Sequence, residues 1–295
     1  MNLSLSRSFP IAKAALAAAV ITCAFALACS LIGCASGGTG SSSADADNTS
    51  ASTDGKTLRV AMELAYPPFE TKDDAGNPEG LAVDFIRDFG AAYGYDVQIE
   101  NTAWDGLIPS LQSDKADLVI SSMTITDERK QSVDFSDAYA MAQLAILANA
   151  DSGVASIDDL NQPGKKVAVK TGSTGDVYAT KNLTNAEIVR LADESACVTE
   201  VVQGKADGFL YDQLTIYRNH QANPDTTEAV FIPFQDAEEW GIAVKKGNTE
   251  LLDQLNAFIA QSKTDGEFDR LTEKYLADEK KAFDQYGFKW FFDFE

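Results

Sequence analysis

The sequence predicts an α/β fold built from two similar lobes. From about residue 58 onward, short apolar segments with strand character alternate with segments of helical periodicity, an order typical of a largely parallel sheet covered by helices. The tripeptide Lys-Ala-Asp occurs at 115–117 and again at 205–207, each time after an amphipathic helix and before an apolar strand. Because the recurrence keeps its context, it indicates an internal structural repeat.

The first lobe opens with an apolar strand, and Pro67 and Pro68 follow it, where the ladder must end because proline donates no hydrogen bond to it. Farther along, Leu81, Phe85 and Phe89 share one face of a helix. The predicted elements of this lobe are a strand at 58–62, a helix at 81–93, a strand at 97–99, a helix at 106–113 and a strand at 117–121.

The second lobe repeats this order of elements. Its predicted elements are a strand at 166–169, a helix from 176, a strand at 188–189, a helix at 197–202 and a strand at 208–210. Counting from each Lys-Ala-Asp tripeptide places Ser122 and Asp212 at equivalent strand ends. Matching the two opening strands makes Glu63 and Lys170 equivalent in the same way.

A shared cleft between the two lobes is the expected binding site. Ligands of open α/β sheets bind beyond the carboxyl ends of the strands, so two lobes that face each other enclose a ligand between those ends. The residues expected at this cleft are Glu63, Tyr66, Ser121, Ser122, Lys170, Thr174 and Asp212.

Arg129 is the candidate anion-binding residue. The segment that begins at Ser121 leaves a strand end and enters a helix near Thr126, which places Arg129 in the first turn, where the helix dipole disfavours a cation. A bound anion would remove this conflict, because a guanidinium holds a carboxylate through two parallel hydrogen bonds. An exposed or ion-paired arginine is the alternative interpretation.

The other cleft candidates also have two interpretations each. The loop at 170–175 offers free backbone N–H groups at a helix start, which attract anions, or it is an ordinary glycine turn. Asp212 either pairs with a cation or caps the next helix. Tyr66 and Trp104 either form aromatic walls around the apolar part of a ligand or belong to the core.

The N-terminal segment predicts an export signal with a lipidation site. Residues 1–33 contain two basic residues and no acidic residue, and an uncharged, alanine-rich run follows the second basic residue. The residues before Cys34 resemble the bacterial lipobox, in which the cysteine becomes the first mature residue and carries lipid such as palmitate; Cys29 fits less well. An uncleaved membrane anchor is the alternative, since the run is just long enough to span a bilayer. The polar residues at 34–56 predict a flexible linker.

Composition excludes several function classes. The net charge of −21 repels phosphate backbones, so we expect no nucleic-acid binding. Cys197 is the only cysteine after Cys34, which leaves no internal disulfide and no cysteine-based zinc site. A Ser-His-Asp enzyme would depend on His220 alone, and no G-x-S-x-G segment occurs. We therefore expect neither a metal nor another cofactor.

Several segments resemble the bacterial extracellular solute-binding proteins of family 3, the polar-amino-acid receptors of ABC importers. In order from about 58 to 275, the matching segments are LRVAMELAYPPFE, WDGLIPSLQSDKADLVISSMTITDERKQSVDFSDAY, GKKVAVKTGST, GKADGFLYD and GIAVKKGN. The resemblance implies the type II periplasmic-binding-protein fold, with two α/β lobes joined by a two-strand hinge. Its implied boundaries are 57–141 and 238–295 for lobe 1 and 142–237 for lobe 2.

The same resemblance implies a role for each candidate residue. Arg129 would hold the α-carboxylate of a free amino acid, and Asp212 its α-ammonium group. The residues implied to assist are Ser122, Thr124 and Thr174 at the α-carboxylate, with Tyr66, Trp104, Glu63 and Lys170 around the ligand side chain.

The expected ligand is glutamine or another polar amino acid. A side-chain amide donates to Glu63 and accepts from Lys170, so glutamine fits both residues, and cystine is the next candidate. Lysine and arginine fit Glu63 but meet Lys170, whereas aspartate and glutamate meet the reverse conflict.

The resemblance implies a receptor and no enzyme. We expect a monomer, lipid-anchored on the outer face of the cell membrane, that delivers its amino acid to an ABC-transporter permease. One alternative is a cyclohexadienyl-dehydratase-like enzyme with Glu63 as general acid; another is an amino-acid sensor that acts in trans. The aromatic tail at 277–295 is expected to pack on lobe 1, with a partner contact as the alternative.

Overall fold

The computed structural model describes residues 56–286 and 288–294. The predicted export signal, the lipidation site at Cys34 and the linker up to residue 55 lie outside the described residues. Within the described part of the chain, no helix has the length and apolar character needed to cross a membrane.

The elements alternate as predicted. The strands are β1 Lys56–Met62, β2 Thr71–Lys72, β3 Pro78–Glu79, β4 Tyr95–Asn101, β5 Leu118–Val119, β6 Val133–Phe135, β7 Ala140–Ala142, β8 Leu144–Asn149, β9 Lys166–Lys170, β10 Glu187–Leu191, β11 Gly208–Asp212, β12 Thr227–Val230, β13 Glu238–Trp240 and β14 Ala243–Lys245. The helices are α1 Leu81–Tyr93, α2 Leu107–Gln112 after a 3₁₀ turn at Trp104–Gly106, α3 Asp127–Lys130, α4 Ile157–Leu160, α5 Thr174–Asn182, α6 Glu194–Val202, α7 Gln213–Ala222, α8 Thr249–Ser262, α9 Glu267–Tyr275 and α10 Ala277–Tyr286.

The strands form two five-stranded sheets, one in each lobe. The sheet of lobe 1 has the order β4-β1-β5-β14-β6, and the sheet of lobe 2 has the order β10-β9-β11-β8-β12. The chain leaves lobe 1 along β7 and returns along β13, and these two strands pair with each other in antiparallel fashion. They are the two crossover strands that the resemblance implies.

The internal repeat is present in the strand register. Val60 of β1 pairs with Leu118 of β5, and Val167 of β9 pairs with Gly208 of β11, so both lobes align their opening strand with the strand after Lys-Ala-Asp in the same way. Because each partner strand begins directly after its tripeptide, the predicted alignment of the two opening strands is confirmed; Asp212 lies at the end of β11, whereas Ser122 lies three residues after the end of β5.

The aspartate of each tripeptide fastens its strand to the opening strand. Asp117 Oδ2 accepts the backbone N–H of Arg59 at 2.8 Å, and Asp207 Oδ2 accepts that of Lys166 at 2.8 Å. In return, the N–H of each aspartate donates to the carbonyl of the same partner at 2.8 Å. The aspartate therefore closes a hydrogen-bonded ring at the start of the ladder.

The helix before each tripeptide ends in a Schellman turn. Asp114 and Gly204 adopt left-handed backbone conformations with φ of 58° and 68°. The lysine that follows donates its N–H to Ser110 O at 2.9 Å in lobe 1 and to Glu200 O at 2.8 Å in lobe 2. These bonds satisfy carbonyls that a helix end leaves without an intrahelical partner.

The aromatic tail packs on lobe 1, as predicted, and also reaches lobe 2. Phe291 is fully buried beside Phe69, with ring centroids 5.1 Å apart, and its carbonyl accepts the N–H of Met141 in β7 at 2.7 Å. The ring of Phe288 lies 4.5 Å from that of Phe231, which is partly buried and packs against the lobe 2 core. The tail therefore packs against crossover strand β7 and contacts both lobes.

Candidate functional site

A polar cleft lies between the strand ends of the two sheets and the crossover strands. The residues that line it are Glu63, Tyr66, Glu70, Trp104, Ser121, Ser122, Thr124, Arg129, Ala142, Leu144, Ser173, Thr174, Tyr211, Asp212, Glu238 and Trp240. All the predicted site residues are in this set except Lys170, whose side chain contacts Glu63 from the lobe 2 side. The predicted site residues therefore converge on one cleft.

Arg129 reaches across the cleft without pairing with a carboxylate. Thr126 caps α3 by accepting the N–H of Arg129 at 3.2 Å, which fixes the backbone of this turn. The guanidinium donates to the carbonyl of Thr124 at 2.7 Å and to that of Gly172 in lobe 2 at 3.1 Å. No ion pair of Arg129 occurs among the described residues, and burial lowers the pKa of its guanidinium below the usual value. A partly buried cation without an anion in contact is suited to bind one.

Asp212 both caps a helix and faces the cleft. Its Oδ1 accepts the N–H groups of Leu214 at 2.9 Å and Thr215 at 3.1 Å, so the capping interpretation is correct. The side chain is buried, and burial raises its pKa while the N–H of Thr215 acts in the opposite direction. A cation in the cleft would stabilise the charged form, so capping and cation binding are compatible.

Glu63 and Lys170 form an ion pair that joins the two lobes. The Lys170 ammonium contacts Glu63 Oε2, and the backbone N–H of Trp104 donates to Glu63 Oε1 at 3.3 Å. The ammonium also lies 5.1 Å from the centroid of the Trp104 ring. The two equivalent strand ends therefore meet across the cleft as opposite charges.

The two serines after β5 position neighbouring carboxylates. Ser121 Oγ accepts the N–H of Glu63 at 3.0 Å, and Ser122 Oγ donates to Glu70 Oε2 at 3.0 Å. Ser122 has a positive φ of 47°, a conformation that is uncommon for a residue other than glycine, and β5 covers only Leu118–Val119 of the predicted 117–121. Burial raises the pKa of Glu70 well above its usual range, and the Ser122 hydroxyl opposes this shift.

Tyr66 and Trp104 are walls of the cleft, and Tyr66 is also part of the core. The Tyr66 ring stacks on Phe69 at 5.5 Å, and its buried hydroxyl has no hydrogen-bond partner among the described residues. Trp104 lies beneath the guanidinium of Arg129, with the guanidinium carbon 5.3 Å from the ring centroid. Gly172, with a φ of 74°, lies beside this ring, and a Cβ added there would be in van der Waals contact with the indole nitrogen at 3.5 Å.

The loop at 170–175 favours the second of its two interpretations, an ordinary glycine turn. The N–H of Thr171 donates to Leu191 O at 2.8 Å, that of Ser173 to Lys170 O at 3.1 Å, and that of Gly172 to Asp176 Oδ2 at 3.1 Å. These groups are used inside lobe 2 and are not free for an anion. Helix α5 begins at Thr174, two residues before the predicted start.

Thr124 and Thr174 converge on a residue that the sequence did not reveal. Both hydroxyls donate to Oε2 of Glu238, at 2.9 Å and 2.6 Å, while the amide of Gln235 donates to Oε1 at 2.7 Å. Glu238 reaches the cleft because the N–H of Ile125 donates to Glu239 O at 2.7 Å, which joins this segment to β13. This long-range pairing has no local sequence signal. The other lining residues that were missed are Glu70, Ala142, Leu144, Ser173, Tyr211 and Trp240.

Comparisons with known proteins match most of the chain to one family of binding proteins. The family model described as bacterial extracellular solute-binding proteins, family 3, matches residues 58–278. A probable histidine-binding protein of Neisseria gonorrhoeae is 36% identical over 260 residues, which cover 87% of this chain and 95% of that protein. The L-cystine-binding protein TcyJ of Escherichia coli (strain K12) is 32% identical over 222 residues, 75% of this chain and 82% of that protein.

A solved structure agrees as well. The ancestral amino acid-binding protein AncCDT-1, described as a precursor of cyclohexadienyl dehydratase, superposes with a TM-score of 0.68 at 38% identity and covers 74% of this chain and 94% of its own. The named relatives are binding proteins, and this structure links the fold to a dehydratase lineage.

Proposed function

The chain belongs to the bacterial extracellular solute-binding proteins, family 3, and from this premise we propose that its cleft captures a free amino acid for an ABC importer. The fold is the type II periplasmic-binding-protein fold, as predicted. The observation that carries the proposal is the pair of unlike charges in one cleft. Arg129 is a cation without a carboxylate in contact, and Asp212 is a buried carboxylate on the other lobe.

These charges suit the two ends of a zwitterion. Arg129 receives the α-carboxylate, with support from Ser122, Thr124 and Thr174, and Asp212 receives the α-ammonium group. Each hydrogen bond to a charged group contributes roughly 1.5–3 kcal/mol, so loss of either end weakens binding measurably. Ser121 acts through the backbone of Glu63, which it holds in place.

The ligand side chain lies between Tyr66 and Trp104 and ends at the Glu63–Lys170 pair. An amide tip offers a donor for the carboxylate and an acceptor for the ammonium, which favours glutamine, with cystine as the next candidate. A purely cationic or anionic tip satisfies only one member of the pair and repels the other.

Closure of the lobes is the proposed transport step. Lobe 1 at 57–141 and 238–295 and lobe 2 at 142–237 close on the ligand about the β7 and β13 hinge, and the closed form docks on the permease. Lipid on Cys34, after removal of 1–33, would hold the protein as a monomer on the outer face of the membrane, with residues 34–56 as the tether.

A binding screen with one variant tests the proposal. The purified protein is heated with each of the twenty amino acids or cystine, since a ligand of the folded state raises its unfolding temperature. Calorimetry then compares the wild type with Arg129→Ala, which we expect to weaken binding tenfold or more. The matched control is Arg87→Ala, because Arg87 is exposed on α1. Equal affinity of wild type and Arg129→Ala would reject Arg129 as the clamp.

A dehydratase is the second candidate, because the AncCDT-1 structure is described as a dehydratase precursor. Glu63 is the residue nearest to the role of general acid. It accepts hydrogen bonds from Lys170 and from the backbone of Trp104, which is the pattern of a carboxylate and not of a proton donor. Turnover of prephenate-like compounds by the purified protein would favour the enzyme over the receptor.

A further inference from the structure

Glu238 is a carboxylate held where the proposed ligand carboxylate must bind. It belongs to crossover strand β13, and its Oε2 accepts hydroxyls from both lobes, Thr124 at 2.9 Å and Thr174 at 2.6 Å. Its Oε1 accepts the amide of Gln235 at 2.7 Å. Three donors therefore point at this one carboxylate.

The two threonine hydroxyls cannot serve two carboxylates at once. Each hydroxyl has a single proton to donate, and both protons are directed to Glu238 Oε2. The proposed function assigns the same hydroxyls to the α-carboxylate of the ligand. A ligand that uses them must take them from Glu238, and its negative charge must also approach that of Glu238.

We propose that Glu238 is an internal stand-in for the ligand carboxylate, which the bound amino acid displaces from Thr124 and Thr174. This inference rests on the proposed function. Glu238 lowers ligand affinity, because part of the binding free energy is used to break its hydrogen bonds and to bring a second anion near it. It thereby sets the affinity and disfavours ligands that carry further negative charge.

The neighbouring residue provides a control for this role. Glu239 follows Glu238 in β13, and its side chain is exposed outside the cleft, whereas that of Glu238 is partly buried and lines it. Glu238→Gln and Glu239→Gln remove the same charge from the same strand. A difference between the two variants therefore reports the position in the cleft and not the net charge of the protein.

Calorimetry with L-glutamine, L-cystine, L-histidine and L-arginine tests the inference on the full chain. For whichever of these binds the wild type, we expect Glu238→Gln to bind it about tenfold more tightly, because a neutral amide competes less strongly for the hydroxyls. Glu239→Gln should bind as the wild type does. Thermal unfolding without ligand first establishes that each variant is folded.

A second variant keeps the test independent of the amide. Glu238→Asp preserves the charge but withdraws the carboxylate by one methylene from both hydroxyls, so it too should bind more tightly than the wild type. Wild-type or weaker affinity in both Glu238→Gln and Glu238→Asp would overturn the stand-in role and leave the proposed function intact. If the wild type binds no amino acid at all, the proposed function itself fails.

Discussion

Lobe 1 and lobe 2 place the same tripeptide at the same structural position, yet the strands around it end in unlike side chains. In both lobes the aspartate of Lys-Ala-Asp accepts an N–H of the opening strand at 2.8 Å. The opening strands end in Glu63 and Lys170, and the strands after the tripeptides lead to Ser122 and Asp212. The two lobes therefore share the residues that connect the helix to the sheet, and they differ in the side chains that face the cleft.

The reason lies in what each position must satisfy. The tripeptide satisfies backbone groups at a helix end and a ladder start, which are the same in every copy of this unit. The strand ends project into the cleft, and their side chains satisfy different partners in the two lobes: Asp212 caps α7, whereas Ser122 donates to Glu70. Their charges are therefore free to differ, and Glu63 and Lys170 use that freedom to attract each other across the lobes.

The same count from the tripeptides relates Trp104 to Glu194. Each lies eleven residues before the lysine of its tripeptide, at the start of the helical segment in its lobe. Trp104 contributes an aromatic wall near Lys170, whereas Glu194 contributes a second carboxylate, whose pKa the charge of Lys170 lowers. The difference gives lobe 2 a titratable group where lobe 1 has an aromatic ring.

The largest expected effect comes from breaking the charge pair. Lys170→Met leaves Glu63 without its cation in the closed cleft, and removing one partner of a buried pair costs about 3–5 kcal/mol. Since the partners belong to different lobes, the cost falls mainly on the closed form. We expect calorimetry to show ligand affinity reduced about a hundredfold or more.

Two further variants sharpen this test. Lys166→Met removes a lysine from the same strand whose side chain is 48% exposed, and it should leave affinity unchanged. The exchange of both charges, Glu63→Lys with Lys170→Glu, should recover part of the closing free energy that Lys170→Met loses. Wild-type affinity in Lys170→Met would show that the pair does not contribute to closure.

A smaller effect is expected from Glu194 and depends on pH. Burial first, and the charge of Asp212 second, raise the pKa of Glu194 to about 7 from the usual 4.5. The folded protein therefore binds more protons than the unfolded chain between about pH 4.5 and 7, so this group's contribution to stability is lost as the pH rises through 7. Glu194→Gln cannot titrate and should gain on the order of 3 kcal/mol relative to the wild type between pH 4.5 and 8.

Denaturant unfolding at a series of pH values checks this prediction. Glu228→Gln is the control, because Glu228 is an exposed glutamate of the same lobe, and it should follow the wild type at every pH. Parallel curves for Glu194→Gln and the wild type would mean that Glu194 ionises in the folded protein as it does in the unfolded chain.

Much of the fold could be predicted because its signals are local. Helix α1 begins and ends at the predicted residues, since its apolar face is regular and Gly94, with a φ of 75°, terminates it. The repeat was visible because identical backbone requirements select identical residues. The positive φ of Ser122 was not predicted, and the partner of its side chain, Glu70, lies 52 residues earlier in the sequence, where no local pattern indicates the contact.

The residues of the candidate site also fall into those with a local sequence signal and those without one. Arg129 in α3, which follows β5, and Asp212 at the end of β11 follow from the order of elements. Glu238 does not, because it enters the cleft on a returning crossover strand whose partner segment near Ile125 lies more than a hundred residues earlier. Pairings of this kind depend on the tertiary fold, and the hydrophobic periodicity of neither segment predicts them.

The smallest expected effect tests the shared part of the two lobes. Asp117→Ala and Asp207→Ala each remove the acceptor for one strand N–H and the partner of one basic side chain, Arg59 in lobe 1 and Lys165 in lobe 2. We expect each to lower the free energy of unfolding by about 1 kcal/mol, by similar amounts, with ligand affinity unchanged. Denaturant unfolding and calorimetry measure the two quantities, with Asp74→Ala as an exposed control. If one variant lost much unfolding free energy and the other none, the tripeptide would be repeated in the sequence without stabilising both lobes in the same way.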